Sequence, residues 1–184
     1  MKENDKKPFP GGVLLIDKPS GITSHDVVNR VRKLYGTRTV GHAGTLDPNA
    51  TGLLVVLVGR AVKASEYLSH GEKSYEAELV LGTVTDTGDL CGRVVSESGI
   101  TPAPDRVAET LRRFEGTIAQ IPPMYSALKV GGVKLVDAAR KGVTIEREPR
   151  PVTVYSISAS PTPDPRRFTL SVSCSGGTYI RTLC

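Results

Sequence analysis

One loop in the sequence combines residue types and spacing that could support chemistry. It runs from Gly41 to Gly52 and contains a single carboxylate, Asp47, followed directly by Pro48. Glycines let a backbone turn sharply and approach a ligand closely, and the residue before a proline is held extended. An apolar run over residues 53–58 follows, so the Asp47 carboxylate is expected at the edge of a rigid core. The alternative is a turn in which the Asp-Pro pair only bends the chain.

The other reactive side chains form no recognisable metal, phosphate or hydrolase motif. No C-x-x-C pair, disulfide framework or metal-ligand spacing is found among the three cysteines and three histidines: Cys91, Cys174, Cys184, His25, His42 and His70. The sequence also lacks a P-loop, a G-x-G-x-x-G after a strand and a G-x-S-x-G elbow. We therefore expect no metal and no cofactor, and neither a nucleotide-hydrolysing enzyme nor an α/β-hydrolase.

Hydrophobic patterning predicts the elements around the loop. Apolar runs at 12–17 and 52–58 are typical of buried strands. Between them Ser24 is predicted to cap a helix that ends at Gly36. One face of this helix is expected to carry Val27, Val28, Val31, Leu34 and Tyr35.

The rest of the chain alternates short strands with fewer helices. The pattern predicts helices at 60–69, 104–115 and just before Arg140, and a polar loop at 83–92. Strands are predicted at 74–81, 93–96, 117–121, 125–130, 151–159 and 168–174. Residues 175–184 are predicted to form a strand-to-helix turn whose helix stops after one turn. With no βαβ rhythm, this order predicts an α+β fold with a mixed, mainly antiparallel sheet and flanking helices.

Composition favours a globular protein with a polyanionic partner. The 184 residues are 39% hydrophobic and 23% charged, with 24 Lys plus Arg against 19 Asp plus Glu. The net charge of +5 fits nucleic acid, although many basic proteins bind none. No apolar run approaches the ~20 residues that span a bilayer, and the charged start lacks a signal region. We expect a cytoplasmic protein without a membrane partner.

Six sequence blocks, in order, resemble the TruB-type pseudouridine synthases. They are residues 12–19 with 21–25, 41–48 with 50–52, 73–75, 85–89, 123–129 and 177–181. The resemblance covers residues 11–184. It implies the catalytic fold of that family and the isomerisation of uridine 55 in the T loop of tRNA. In that reaction the base is flipped, uracil is detached from C1′, turned and rejoined through C5.

The resemblance also implies partners and domain organisation. The partner is the T arm of tRNA, the protein is a monomer, and neither metal nor cofactor takes part. The chain begins almost directly with the first motif, which favours the bacterial tRNA enzymes over the guide-RNA-dependent relatives. We expect residues 1–184 to be one catalytic domain, incomplete at its C-terminus and without the PUA domain that most members carry.

Matched residue by residue, the resemblance makes Asp47 the catalytic aspartate. Glycosidic cleavage builds positive charge on the sugar, and an ionised carboxylate beside C1′ either stabilises that charge or bonds to the carbon. Arg181 matches the family arginine that pairs with the aspartate and keeps it ionised. Tyr75 matches the tyrosine expected to stack on the flipped uracil. The ordinary alternatives are a solvated arginine and a half-buried strand tyrosine.

Five further residues match the motifs with less direct roles. His42 is expected to contact the T loop and to occupy the space left by the flipped base; otherwise it is a surface loop residue. Tyr179 is expected to line the same pocket, and Asp89 to form a hydrogen bond near it. Lys18 and Pro19 are expected to support the catalytic loop.

Basic side chains are expected to supply phosphate contacts that do not depend on sequence and that weaken with salt. The set is Arg30, Arg32, Lys33, Arg38, Lys129, Lys134, Arg140 and Lys141. The same charges could serve solubility alone. Two other functions remain open: a non-catalytic module that binds or folds RNA, and hydrolysis of an N-glycosidic bond by the same aspartate.

Overall fold

The computed structural model describes residues 11–184, and the charged start of the chain lies outside them. The chain divides into two compact units, one ending at Gly71 and the other running from Glu72 to Cys184. Every strand pairing within the described residues is antiparallel, and helices accompany the sheets in both units. The predicted α+β class with mainly antiparallel pairing is confirmed.

The first unit is a three-stranded sheet packed against one helix. Its elements are β1 (Gly11–Lys18), α1 (Ser24–Tyr35), β2 (Val40–His42), β3 (Gly52–Gly59), a 3-10 turn (Arg60–Ala64) and α2 (Ser65–Ser69). The continuous apolar run forms β3, the central strand in the order β1-β3-β2. Val27, Val28 and Val31 of α1 pack on the β3 side chains Leu54 and Val56 to form the core of this unit.

The start of α1 differs from the sequence prediction. Thr23, not Ser24, is the N-cap: its hydroxyl accepts from the Asp26 amide at 3.0 Å, and Asp26 Oδ2 accepts from the Thr23 amide at 2.9 Å. This reciprocal pair is a capping box, which satisfies two backbone donors at once. The helix does end at Gly36 in the left-handed conformation, as predicted. Leu34 was wrongly assigned to the buried face, since it is 80% exposed.

The second unit is a four-stranded sheet in the order β4-β11-β10-β7, with two small hairpins. Its strands are β4 (Lys73–Val80), β5 (Thr83–Thr85), β6 (Val94–Glu97), β7 (Gly116–Gln120), β8 (Lys129–Val130), β9 (Val133–Lys134), β10 (Arg150–Pro161) and β11 (Arg167–Cys174). Its helices are α3 (Pro104–Leu111), continued by a 3-10 turn (Arg112–Phe114), α4 (Leu135–Ala139) and α5 (Ile180–Leu183). One face of the large sheet packs with α3 around Val107, Val154 and Leu170.

Three local predictions were wrong in part. The predicted helix at 60–69 is a 3-10 turn followed by the short α2, neither with a side-chain cap. The predicted loop at 83–92 begins with β5, because its backbone pairs with β6. The predicted strand at 125–130 retains only β8, because the backbones of Ser126 and Leu128 accept from the amides of Val136 and Leu135 instead of pairing along a strand.

The described residues hold neither of two features that would indicate a membrane or metal partner. Among residues 11–184, no helix is long and apolar enough to cross a membrane. Over the same stretch, no group of three or more His, Cys, Asp or Glu side chains is placed to hold a metal ion.

Candidate active site

The residues predicted for the site fall into two sets, one in each compact unit. The first unit contains Lys18, Pro19, His42 and Asp47, and the second contains Tyr75, Asp89, Tyr179 and Arg181. Within each unit, hydrogen bonds and core packing position several of these residues.

The backbone on both sides of Asp47 is fixed by residues of the first motif. Ahead of it, the Ser24 hydroxyl accepts from the Leu46 amide at 2.9 Å and donates to the Leu46 carbonyl at 3.1 Å. After it, the Pro48 carbonyl accepts from the Gly21 amide at 2.8 Å. Asp47 is half-buried between these fixed points. The loop therefore presents its carboxylate from a backbone that is ordered before any ligand arrives.

Lys18 is a fully buried lysine at the end of β1. Its Nζ donates to three carbonyl oxygens, those of Ile22 at 2.8 Å, Pro19 at 3.0 Å and Pro48 at 3.1 Å. A neutral amine has only two N–H donors, so three donated bonds require the ammonium form of Lys18. Burial lowers the pKa of Lys18, and the nearby Asp47 carboxylate opposes that effect. Lys18 thus joins the first motif to the loop and places a positive charge near Asp47; Pro19, itself exposed, takes part through its carbonyl.

His42 is the last residue of β2 and lies opposite Val56 of β3. The side chain is half-buried. Burial lowers its pKa below the ordinary histidine value of 6.5, His25 adds to the decrease, and a hydrogen bond with the Gly44 backbone partly offsets it. The imidazole is therefore neutral at pH 7 and can both donate and accept hydrogen bonds.

Tyr75 lies on β4 of the second unit, opposite Val172 of β11. It is half-buried and packs against the hydrophobic core of its unit. The alternation predicted from the sequence is observed, with Glu76 and Glu78 on the exposed face. Tyr75 is held from one side by this core, an arrangement that suits an aromatic ring used as a stacking surface.

Arg181 lies in α5, a single helical turn at the end of the second unit. Its Nη2 donates to the Tyr125 carbonyl at 2.6 Å. Gly88 contacts the same residue: a Cβ placed there would lie 3.4 Å from the Arg181 carbonyl oxygen. The Arg181 guanidinium thus bonds to the loop at 123–129, and its backbone lies against the loop at 85–89. Both loops belong to the six sequence blocks.

Asp89 forms local bonds within its own turn, whereas Tyr179 bonds through its backbone to a distant side chain. Asp89 Oδ1 accepts from the Thr87 hydroxyl at 2.8 Å and from the Cys91 amide at 3.0 Å, which closes its own turn. The Tyr179 backbone bonds to the Gln120 side chain, with its amide donating at 2.8 Å and its carbonyl accepting at 3.1 Å. Asp89 therefore shapes the turn that contains Gly88.

Sequence reasoning missed two residues that hold the candidate groups in place. Ser24 was interpreted as a helix cap, and Gln120 was not singled out. Both are buried polar residues. Ser24 carried one usable signal, because Thr23 with Asp26 already supplies a capping box and leaves the next hydroxyl without a capping role.

Comparison with known proteins identifies the family. A family model described as TruB family pseudouridylate synthase (N terminal domain) matches residues 32–180. The chain belongs to this family. The match confirms the family that the sequence blocks indicated.

Relatives in the TruB family are highly similar over most of this chain. The tRNA pseudouridine synthase B of Bacillus licheniformis is 49% identical over 178 residues, covering 94% of this chain and 58% of the relative. The enzyme of the same name from Alkaliphilus oremlandii is 49% identical over 173 residues, with the same shares of 94% and 58%. The chain thus spans somewhat more than half the length of these relatives.

Solved structures with this fold include chains of two assemblies. A chain of a Cbf5-Nop10-Gar1 complex superposes with a TM-score of 0.66 at 31% identity, covering 94% of this chain and 42% of that one. A chain of an H/ACA RNP bound to a substrate RNA containing 2′-deoxyuridine gives a TM-score of 0.65 at 27% identity, with shares of 94% and 40%. The TruB catalytic fold is therefore shared with these proteins.

Proposed function

We propose that this chain is the catalytic part of an enzyme that converts uridine 55 in the T loop of tRNA to pseudouridine. Membership of the TruB family supports this, as do relatives at 49% identity named tRNA pseudouridine synthase B. The observation that carries the proposal is the Asp47 loop, fixed at Leu46 and at Pro48. A carboxylate held in this way can stabilise the positive charge that develops on the sugar, without first having to be reoriented.

The reaction we propose is an isomerisation in which no atom is gained or lost overall. The C1′–N1 bond breaks, uracil turns within the pocket, and a C1′–C5 bond forms. The proton on C5 leaves and N1 takes up a proton. Asp47 is the group that stabilises or bonds to the sugar at C1′. Attack on uracil C6 and a glycal route are alternatives for the same carboxylate, and the C5 proton leaves in all three.

We infer that Tyr75 and Arg181 act on the same nucleotide as Asp47. Tyr75 offers a ring supported by the core of its unit, and stacking of a flipped base on an aromatic side chain contributes about 1–3 kcal/mol. Arg181 matches the family arginine expected to pair with the catalytic aspartate, and a guanidinium beside a carboxylate favours the ionised form of that carboxylate. His42, neutral at pH 7, and Tyr179 complete the contacts to the flipped base and the T loop.

The partner we propose is the T arm of tRNA, bound by a monomer in the cytoplasm without metal or cofactor. Recognition then depends on the folded shape of the loop and its splayed base, with basic side chains contacting phosphates. Arg32 serves the fold as well, since it donates to the Val40 carbonyl at 3.2 Å. Residues 1–184 act in this proposal as one catalytic domain.

Release of tritium from tRNA tests the proposal directly. A transcript labelled at C5 of uridine is incubated with the chain, with Asp47→Asn and with Asp105→Asn. Asp105 is an exposed carboxylate in the first turn of α3 and serves as the matched control. We expect about one tritium per tRNA from the wild type and the control, and at least 10³-fold slower release from Asp47→Asn, roughly the effect of losing a covalent or charge-stabilising group.

Further arms distinguish the alternatives. A transcript with cytidine in place of uridine 55 should release no tritium above background, and full release from it would overturn the assigned position. Free uracil in the supernatant would indicate hydrolysis of the glycosidic bond. Binding of tRNA that survives Asp47→Asn, with no release from the wild type, would identify a module that binds RNA without catalysis.

A further inference from the structure

Gln120 is a buried polar residue whose side-chain oxygen and nitrogen both bond to the backbone of one distant residue. It is the last residue of β7 and only 6% exposed. Its Oε1 accepts from the Tyr179 amide at 2.8 Å, and its Nε2 donates to the Tyr179 carbonyl at 3.1 Å. The two bonds join residues 59 positions apart. A glutamine amide offers this donor and acceptor pair in one plane.

The position that Gln120 fixes is the start of the turn that carries Arg181. Tyr179 is the N-cap of α5, and no side-chain cap bond is found there. The Tyr179 carbonyl also accepts from the amides of Thr182 and Leu183 at 3.1 and 3.2 Å, which makes it the first acceptor of the helical turn. A helix of one turn is not stable alone. The place of Arg181 therefore depends on tertiary bonds such as those from Gln120.

The segment 120–125 contacts α5 and its N-cap at two points. Gln120 holds the Tyr179 backbone at the start of the segment, and the Tyr125 carbonyl accepts from Arg181 Nη2 at 2.6 Å near its end. The segment between them contains Pro122 and Pro123, which restrict its backbone. The two contacts together fix both the backbone origin of the arginine and the direction of its guanidinium.

We propose that Gln120 is a positioning residue for Arg181. It acts through the Tyr179 backbone and does not touch the substrate. This inference rests on the proposed function, in which Arg181 faces the reacting nucleotide. Loss of the Gln120 amide leaves the Tyr179 N–H without its acceptor and lets the turn shift, and a displacement of about 1 Å in such a group can slow a reaction by up to about 100-fold.

Gln120→Ala and Gln120→Glu test the proposal, with Val107→Ala as the control. Val107 is buried on α3 in the hydrophobic core of the second unit, and its truncation destabilises that unit while the groups of the Gln120–Tyr179 bonds remain present. For Gln120→Ala we expect kcat for tritium release to fall about 10-fold while KM for tRNA changes less than about 2-fold. Val107→Ala should lose stability but keep kcat at temperatures where it is folded.

Gln120→Glu adds a pH readout that a purely structural role would not produce. A protonated carboxyl can accept from the Tyr179 amide and donate to the Tyr179 carbonyl, whereas a carboxylate can only accept. We therefore expect kcat of Gln120→Glu, relative to wild type, to recover as the pH is lowered. Hydrogen exchange should show the Tyr179 amide protected in wild type and exposed in Gln120→Ala.

The outcomes separate this inference from the proposed function. Wild-type release together with an unchanged kcat in folded Gln120→Ala overturns the positioning role alone. A pH-independent Gln120→Glu, or a Tyr179 amide equally protected in Gln120→Ala, overturns it too. A wild-type chain that releases no tritium overturns the proposed function first, and the role of Gln120 in it as well.

Discussion

Lys18 shows how much one buried residue contributes to the backbone of the Asp47 loop. Its ammonium group satisfies the carbonyls of Pro19, Ile22 and Pro48, which lie in two separate loops. A charge buried in this way is tolerated only because every donor has an acceptor. The burial lowers the Lys18 pKa, which records the remaining cost of removing the charge from water.

Replacing Lys18 by methionine should therefore destabilise the protein. Methionine preserves the length and the apolar stem but removes the donor of the Pro19 and Ile22 carbonyls and one of the two donors of the Pro48 carbonyl. We expect a loss of about 2–4 kcal/mol in the free energy of unfolding. Urea denaturation of Lys18→Met and of the exposed control Lys63→Met measures it. A loss below about 0.5 kcal/mol, the range of ordinary surface changes, would contradict the role given to Lys18.

His42 should make stability depend on pH. Its pKa is lowered in the folded protein, so below the ordinary value of 6.5 the unfolded chain takes up a proton that the folded chain refuses. Stability therefore falls as pH drops from 7 through this window, by at most about 1.4 kcal/mol per pH unit from one group. His42→Asn should remove that part of the pH dependence, while His70→Asn, at an exposed position, should keep it. Parallel pH profiles for His42→Asn and wild type in urea denaturation would refute this.

At the scale of elements, neighbouring hydroxyls at the start of α1 have different tasks. Thr23 caps the helix, whereas Ser24 holds Leu46 next to Asp47. Thr23→Ala should cost about 1 kcal/mol of stability and leave kcat for tritium release within about 2-fold of wild type. Ser24→Ala should lower kcat about 10-fold, because the loop before Asp47 loses both bonds. Equal kcat values in the two variants would show that the Ser24 bonds do not orient the carboxylate.

Local sequence patterns predicted most strands and helices well, but they did not predict the long-range hydrogen bonds that hold the candidate site residues in place. Alternation at 74–81 and the apolar run at 52–58 were sufficient for β4 and β3, because period and length are properties of adjacent residues. Asp47, Tyr75 and Arg181 were selected by their motifs. Ser24 and Gln120 were not recognised as residues that hold the site, since they bond to backbone groups 22 and 59 residues away. The capping box at Thr23 showed only that Ser24 is not needed as a cap, and Gln120 had no local signal.

At the scale of the whole molecule, the excess of positive charge includes one arrangement that works against stability. The hairpin of β8 and β9 places Lys129 directly opposite Lys134, and both side chains are exposed. Like charges on opposite strands repel and destabilise a hairpin. The Gly131-Gly132 turn, with both residues at positive φ, closes it nonetheless. A polyanion bound across Lys129 and Lys134 would offset their repulsion, which gives this pair a role in binding.

Neutralising this pair should weaken RNA binding without weakening the fold. We expect the double variant Lys129→Gln with Lys134→Gln to bind tRNA less tightly and to reduce the slope of log Kd against log salt by about 1–2, since each phosphate contact contributes roughly one counterion. Its free energy of unfolding should be unchanged or slightly higher, because the cross-strand repulsion is gone. Lys63→Gln, which removes an exposed charge outside the expected set, is the control and should keep the wild-type slope. An unchanged slope in the double variant would mean that the hairpin charges serve solubility and that the phosphate contacts lie elsewhere.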